Sequence, residues 1–426
     1  MERPIAGPFP EQVPIVRANR LYIKKEGLPS ALINRLLRVA AFQNPEFYQA
    51  QAMRRSTYAT PRIIACGDDL AQYVALPRGC LADTLALLAA HHIAPDMQDE
   101  RFAGTPIDVA FHGQLRAEQQ EAATTMLASD DGILCAPTAF GKTAVAAWLI
   151  AQRQVSTLVL VHRQQLLDQW HARLMAFLDL TPHAIGQIGG GKRERTGQID
   201  VAVIQSLHHQ NTVNDLVAEY GQVVVDECHH LAAFSFEQVM KQVKARYVVG
   251  LTATPTRKDG HHPIIGMQCG PIRFAMSQKT MTDATPFAHQ MLPCWTEFRF
   301  EADQSDMTIQ EVYAALIHDT QRNDRIVADV EHALAEGRTP LVLTNRTAHV
   351  QVLATRLAAN TEHVFVLRGG MGKHQRRAVA EGIASVRENE SRVIVATGSA
   401  IGEGFDDARL DTLFLVMPIS WKGTLQ

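Results

Sequence analysis

The chain has 426 residues, 46% of them apolar and 20% charged, enough for two or three buried cores and too apolar for a disordered protein. Its 41 Lys+Arg stand against 44 Asp+Glu, and the net charge of -3 excludes a uniformly basic nucleic-acid coat while permitting a local basic face. Six cysteines without CxxC spacing point to neither a disulfide framework nor a zinc site. With no run of about 18 apolar residues to span a membrane, a cytoplasmic protein is expected.

The start of the chain, with Pro4, Pro8, Pro10 and Pro14, reads as an extended lead-in without a signal-peptide hydrophobic stretch. Ser30 can cap a helix on which Leu32, Ile33, Leu36, Leu37 and Ala40 recur at helical spacing, and Pro45 opens a second helix to about Met53. Strands are expected at Arg62–Cys66 and Tyr73–Leu76, followed by a helix from Leu81 to about His92. The polar stretch from Pro95 to Pro106 reads as a linker, which sets residues 1–106 apart as a small α/β accessory domain. From residue 107, β-branched runs at Gly132–Cys135, Thr157–Val161, Asp200–Ile204, Val223–Val225 and Tyr247–Gly250 alternate with helical patterns, as parallel βαβ units do. After a break around residues 270–290 a second set follows at Leu341–Thr344, Val364–Leu367, Arg392–Ala396 and Thr412–Val416. The expected fold class is α/β, with two successive parallel-sheet domains over 107–285 and 286–426.

The strongest chemical signal is Ala136-Pro137-Thr138-Ala139-Phe140-Gly141-Lys142-Thr143, between a strand and a helix. A phosphate-binding loop needs that context, because backbone N–H groups and a helix N-terminus then point at an anion. Lys142 would reach the β- and γ-phosphates, and the Thr143 hydroxyl would hold Mg²⁺. The second signal is the apolar strand Val223–Val225 running into Asp226-Glu227-Cys228-His229. Adjacent carboxylates at the carboxyl edge of a parallel sheet suit a metal-positioning Asp226 and a water-polarising Glu227.

These motifs together resemble superfamily 2 helicases and translocases of the DEAD/DEAH-box type, and within them the XPB-like group, over residues 107–426. Leu115-Arg-Ala-Glu-Gln119 is similar to the element that recognises adenine, which makes Gln119 the implied adenine contact. Ala136–Thr143 resembles motif I, Asp226–His229 motif II with His229 as a further catalytic residue, and Leu251-Thr252-Ala253-Thr254 the coupling motif III. Val159–Trp170, with Arg163, resembles motif Ia, and Gly189–Arg193, with Lys192 and Arg193, a strand-contacting loop. Leu341–Arg346 resembles motif IV, and Ala396–Gly398 through Gly402–Asp406 motif V; Arg346 and Thr397 are thereby implied on nucleic acid, Gly404 and Asp406 on nucleotide. The resemblance implies tandem RecA-like domains, ATP and Mg²⁺ as cofactors, and ATP-driven movement along nucleic acid, DNA before RNA. It also implies roles ranging from DNA repair to phage defence, in which a nuclease or other effector can accompany the motor.

Three departures accompany it. Ala139 stands where many relatives have glycine, and would strain the loop if that position needs positive φ. Arg257-Lys258-Asp259 carries a base where the group has a central acid. The arginine-bearing motif VI would begin near Gln426, so a fragment that binds ATP and hydrolyses it poorly is expected; the second RecA-like domain is then incomplete. Between Arg17 and Arg62 nine basic residues, Lys24 and Lys25 among them, face two acidic ones, with Tyr22, Phe42, Phe47, Tyr48 and Tyr58 interleaved. That pattern fits phosphate contacts with base stacking, and equally a solvated face over aromatic core residues. Three alternatives stay open: a P-loop ATPase moving other cargo, a non-catalytic nucleic-acid module, and the motor of a restriction or defence system that translocates without unwinding.

Overall fold

Val13 and Ile15 on one strand, Leu21 and Ile23 on a second, and Val74 and Leu76 on a third are buried and fold the N-terminal region into a sheet. The computed structural model describes residues 5–209, 212–229, 233–254, 260–276, 290–299, 308–398, 400–401 and 407–418. The sheet contains β1 (Gln12–Arg17), β2 (Leu21–Lys24), β5 (Asp68–Asp69), β6 (Tyr73–Leu76) and β7 (Ala94–Asp99), in the order β5-β6-β2-β1-β7. A separate ladder joins β3 (Ala41–Gln43) to β4 (Ile63–Ala65). Helices α1 (Ser30–Val39), α2 (Pro45–Ala52) and α3 (Leu81–Ala89) complete the region.

Three expectations are corrected here. The lead-in contains β1, which lies inside the sheet between β2 and β7. The expected linker begins with β7, which pairs in parallel with β1 over six residues. Its six side chains are all exposed, so no apolar alternation marks it as a strand, and Pro95 is tolerated because β7 is an edge. Ser30 is the first residue of α1 rather than its cap; Pro29 occupies that place without a side-chain bond.

Residues Met1–Phe287 form one compact unit and Ala288–Leu425 another. The larger sheet of the first unit holds β8 (Asp131–Cys135), β9 (Thr157–Val161), β10 (Ile185–Gly189), β11 (Lys192–Glu194), β12 (Ile199–Val203), β15 (Gln222–Val225), β16 (Tyr247–Thr252) and β17 (Ile272–Ala275). Its order is β11-β10-β12-β9-β15-β16-β8-β17, parallel throughout except for the β10–β11 hairpin. The break expected near residue 270 thus contains a strand, β17, paired with β8. β9, β10, β12 and β15 are buried along their whole length, and β9 and β15 are accordingly near-continuous apolar runs. Helices α4 (Ala117–Leu127), α5 (Lys142–Arg153), α6 (Gln164–Phe177), α7 (Ala233–Met240) and α8 (Pro263–Cys269) flank the sheet, and β13 (His208–His209) and β14 (Thr212–Val213) form a small ladder. One apolar cluster joins Val13, Ile15 and Leu36 of the N-terminal region to Leu158, Tyr220 and Val223 of the larger sheet.

The second unit has four parallel strands, β18 (Pro340–Thr344), β19 (His363–Leu367), β20 (Arg392–Thr397) and β21 (Thr412–Leu415), in the order β19-β20-β18-β21. Helices Ile309–His318, Thr320–Ala335, Thr347–Leu357 and Lys373–Ser385 accompany them. Among the described residues, no helix is long and apolar enough to cross a membrane.

Candidate active site

Strands β15, β16 and β8 are neighbours, so the segments that follow their carboxyl ends converge. After β8, Thr138–Phe140 makes one 3-10 turn and Gly141 takes φ 86°, ψ 40° before α5 begins at Lys142. Only that glycine needs the left-handed region within the loop. Ala139 lies in the right-handed turn and is absent from the positive-φ residues, so the strain conditionally expected of it does not arise. A Cβ at Gly141 would lie 2.4 Å from Gln119 Nε2. Gln119 is itself committed within the protein: its Oε1 accepts the Arg116 backbone N–H at 2.9 Å, and its Nε2 donates to the Phe140 carbonyl at 2.7 Å. Arg116 donates to the same carbonyl at 2.6 Å. The residues from the adenine-type element thus buttress the loop, a role its local spacing did not reveal. Ala136 and Pro137 are buried and offer their carbonyls to Lys142 Nζ, at 3.0 and 3.5 Å; Thr138 is exposed.

Lys142 also lies 3.6 Å from Glu227 Oε1, both side chains being nearly buried. Glu227 takes φ 43°, a left-handed conformation uncommon outside glycine, and its N–H donates to Asp226 Oδ1 at 3.0 Å. Glu227 Oε2 lies 3.3 Å from His229 Nδ1, which is 2.8 Å from the Thr252 hydroxyl. That hydroxyl donates to the Thr254 carbonyl at 2.7 Å and accepts the Thr254 N–H at 3.1 Å, so the proton between it and His229 belongs to Nδ1. Lys142, Glu227, His229, Thr252 and Thr254 therefore form one connected polar run. Burial pushes the Cys228 thiol well above its usual range, which leaves it inert. Thr143 and Asp226 line one small cavity with Leu166, Gln169, Trp170 and Arg173. A hydroxyl and a carboxylate facing one cavity are hard oxygen donors, the set that suits Mg²⁺.

The expected nucleic-acid contacts divide in two. Arg163 is exposed at the N-cap of α6, and exposed Lys192 and Arg193 lie on β11, just past the turn at Gly190, whose Cβ would meet Gln164 Oε1 at 2.2 Å. The structure thus brings the hairpin against the residue following Arg163. In the second unit, Arg346 caps helix Thr347–Leu357, donates to Gln310 Oε1 at 2.7 Å and stacks 4.4 Å over the Tyr313 ring, while Thr397 is buried and accepts the Gly369 N–H at 3.2 Å. Lys24 pairs with Glu26 at 2.5 Å, and Lys25 with Asp69 and the Leu70 carbonyl. Gly404, Asp406 and the Arg257–Asp259 element lie outside the described residues.

Comparison with known proteins agrees with this geometry. Residues 112–257 match the family described as "Type III restriction enzyme, res subunit". The chain is 34% identical over 164 residues to the DNA 3'-5' translocase XPB2 of Sulfurisphaera tokodaii, covering 38% of this chain and 36% of that protein. It is 29% identical over 307 residues to the putative DNA 3'-5' helicase Rad25 of Halobacterium salinarum, covering 66% of this chain and 49% of that protein. With a putative helicase, 161L, of Invertebrate iridescent virus 6, identity is 24% over 330 residues, 74% of this chain and 73% of the relative. The chain spans between about a third and a half of the length of the first two relatives. With its phosphate loop after β8 and its Asp-Glu-Cys-His strand end after β15, on either side of β16, the chain is similar over these segments to XPB-type helicases and translocases.

Proposed function

We propose that the protein is an ATP-dependent DNA translocase or helicase that binds ATP at the carboxyl ends of β8 and β15. The observation that carries this is the pairing of Lys142 with Glu227 at 3.6 Å beside the cavity shared by Thr143 and Asp226. In this reading the α5 N-terminus and Lys142 hold the triphosphate, and Lys142 exchanges the Ala136 and Pro137 carbonyls for phosphate oxygens. Glu227 orients the attacking water and takes its proton, and His229 holds Glu227 in place while linking it to Thr252. Thr143 and Asp226 would hold Mg²⁺, which supplies charge to the phosphates when bound. Gln119 fixes the loop and contributes to the nucleotide pocket, with Gly404 and Asp406 of the second unit assigned to nucleotide as well.

DNA is assigned to Arg163, Lys192 and Arg193 in the first unit and to Arg346 and Thr397 in the second, through phosphate contacts that are salt-sensitive and weakly sequence-specific. Residues 1–106 are read as an accessory region on the motor over 107–285 and 286–426. The match to a restriction-enzyme subunit favours a second reading, translocation without strand separation. Hydrolysis of radiolabelled ATP by the full chain, with and without DNA, tests the proposal. Stimulation by DNA that is lost in Glu227→Gln is expected; a native chain unaffected by DNA and RNA, or a Glu227→Gln variant of native rate, sinks it. A strand-displacement assay beside a triplex-displacement assay then separates the two readings.

A further inference from the structure

Trp170 lies on α6, and its indole Nε1–H donates to Asp226 Oδ2 at 2.6 Å. The other carboxylate oxygen, Oδ1, accepts the Glu227 N–H at 3.0 Å. Trp170 is 2% exposed and Asp226 8%, so water competes little for this bond. The indole is also a wall of the cavity lined by Thr143 and Asp226. Packing alone would not select this arrangement. A phenyl or aliphatic side chain fills apolar space without a buried N–H that must find an acceptor, whereas Trp170 spends its donor on the one carboxylate in that cavity lining.

We infer that Trp170 is a positioning residue: it fixes the orientation of the Asp226 carboxylate beside Thr143 and thereby sets how tightly the site takes a hard divalent cation together with nucleotide. The inference rests on the ATPase reading above. A carboxylate held by a donor at each oxygen cannot turn about its Cβ–Cγ bond, so the cation meets an oxygen already in place. Without the indole donor, Asp226 keeps only the Glu227 N–H of these two holds, and cation binding must order it. Outer donors of this kind are worth roughly 10–100-fold in metal affinity.

The test uses the full chain and Trp170→Phe, which keeps an aromatic ring and removes the N–H. A fluorescent ADP analogue is titrated in EDTA, and then at fixed nucleotide with MgCl₂. Nucleotide affinity in EDTA should remain native, while the Mg²⁺ concentration for half-maximal binding rises roughly 10–100-fold. A native Mg²⁺ requirement in a variant with native circular dichroism overturns the inference. A second measurement does not depend on how that variant folds. ¹⁵N-tryptophan labelling of the native chain gives signals from four indoles. One of them should shift when Mg²⁺ joins bound nucleotide, and Asp226→Asn should displace the same one; the absence of such a signal overturns the inference. If the native chain binds no Mg²⁺–nucleotide, the ATPase reading falls and this inference with it. Native binding alongside an unaltered Trp170→Phe removes the inference alone.

Discussion

Gly141→Ala is the sharpest probe of the phosphate loop. Two costs follow from the structure. Gly141 sits at φ 86°, ψ 40°, where an alanine costs about 1–2 kcal/mol relative to the right-handed regions. Its Cβ would also lie 2.4 Å from Gln119 Nε2, the next nearest atoms being at 3.7 and 4.0 Å, so the Gln119 amide alone must move. That movement breaks the 2.7 Å bond to the Phe140 carbonyl, a further loss of about 0.5–1.5 kcal/mol. Together the substitution costs about 1.5–3.5 kcal/mol. If the loop keeps its shape, the cost appears as lost stability; if it relaxes, it appears as lost nucleotide affinity, about 10- to 300-fold. Urea unfolding and fluorescent-nucleotide titration of the same samples should therefore give losses that add to this sum. The double variant with Gln119→Ala isolates the clash, because removing the amide leaves the backbone cost only, and the two substitutions should be less than additive. Combined losses under about 0.5 kcal/mol, or strict additivity in the double variant, would refute the account of the loop.

Glu227→Gln keeps the shape of a side chain held between Lys142 and His229 but removes the base, so turnover should fall roughly 10²–10⁴-fold. Nucleotide binding measured separately should persist; loss of binding without loss of turnover per bound nucleotide would contradict the role. Gly190→Ala puts a Cβ at φ 59° and 2.2 Å from Gln164 Oε1, which should push the β10–β11 turn from α6 and weaken DNA binding while sparing nucleotide. Fluorescence anisotropy with a labelled oligonucleotide checks this, and native affinity refutes it. Burial, with the Arg322 charge nearby, lowers His349 to about 4 in the folded second unit. The unfolded chain takes up a proton near pH 6.5 and the folded one does not, so stability present above that value is lost as pH falls toward 4, by about 2 kcal/mol at pH 5. His349→Gln should remove that share of the acid sensitivity in urea titrations at pH 7 and pH 5, and an unchanged difference would count against it.

Most buried strands were legible in the sequence because a parallel strand covered on both faces is a near-continuous apolar run, as Thr157–Val161 is, whereas buried β10, Ile185–Gly189, escaped notice because two glycines and Gln187 break its run. The strands that escaped notice include β7, β11 and β17, each at a sheet edge. Edge strands are held by backbone bonds on one side and owe their side chains nothing, so Lys192–Glu194 and Ala94–Asp99 carry no apolar pattern. The residues of the candidate site divide on the same principle. Lys142, Thr143, Asp226 and Glu227 announce themselves through short local motifs on known elements. The Trp170–Asp226 bond joins residues 56 apart, and the Gln119–Phe140 bond residues 21 apart, so neither had a local signature. Counting charge in a window also leaves partners out for that reason. The basic excess between Arg17 and Arg62 was counted in a window, while Arg17, Arg20 and Lys25 find Asp130, Asp68 and Asp69 beyond its end.

Arg17's partner, Asp130, also ties the N-terminal region to the larger sheet. Asp130, just before β8, lies 3.9 Å from Arg17, 2.8 Å from Arg101 and 3.6 Å from Arg246. Against the effect of burial, these arginines, Arg101 first, hold its carboxyl below the usual range. Arg78, buried throughout, donates to the Val243 and Ala245 carbonyls at 2.6 and 2.8 Å, and Asn19 donates to the Lys241 carbonyl at 2.5 Å. Gly79 follows because a Cβ there would be 2.0 Å from the Gly266 carbonyl oxygen. Backbone carbonyls between β16 and α7 thus receive the N-terminal region, and a buried guanidinium without them would be left unpaired at a cost of about 1–3 kcal/mol per lost partner. Farther along, the Phe42 and His261 rings meet at 6.3 Å, and Gly260 leaves room for Pro45. These contacts fall shortly after Thr252 and Thr254, the end of the polar run that begins at Lys142. Arg17, Arg78 and Arg101 are therefore spent on holding the region to the sheet that carries the candidate site, Arg20, Lys24 and Lys25 pair within the region, and Arg38, Arg54, Arg55 and fully exposed Tyr58 remain exposed on a base fixed to that sheet.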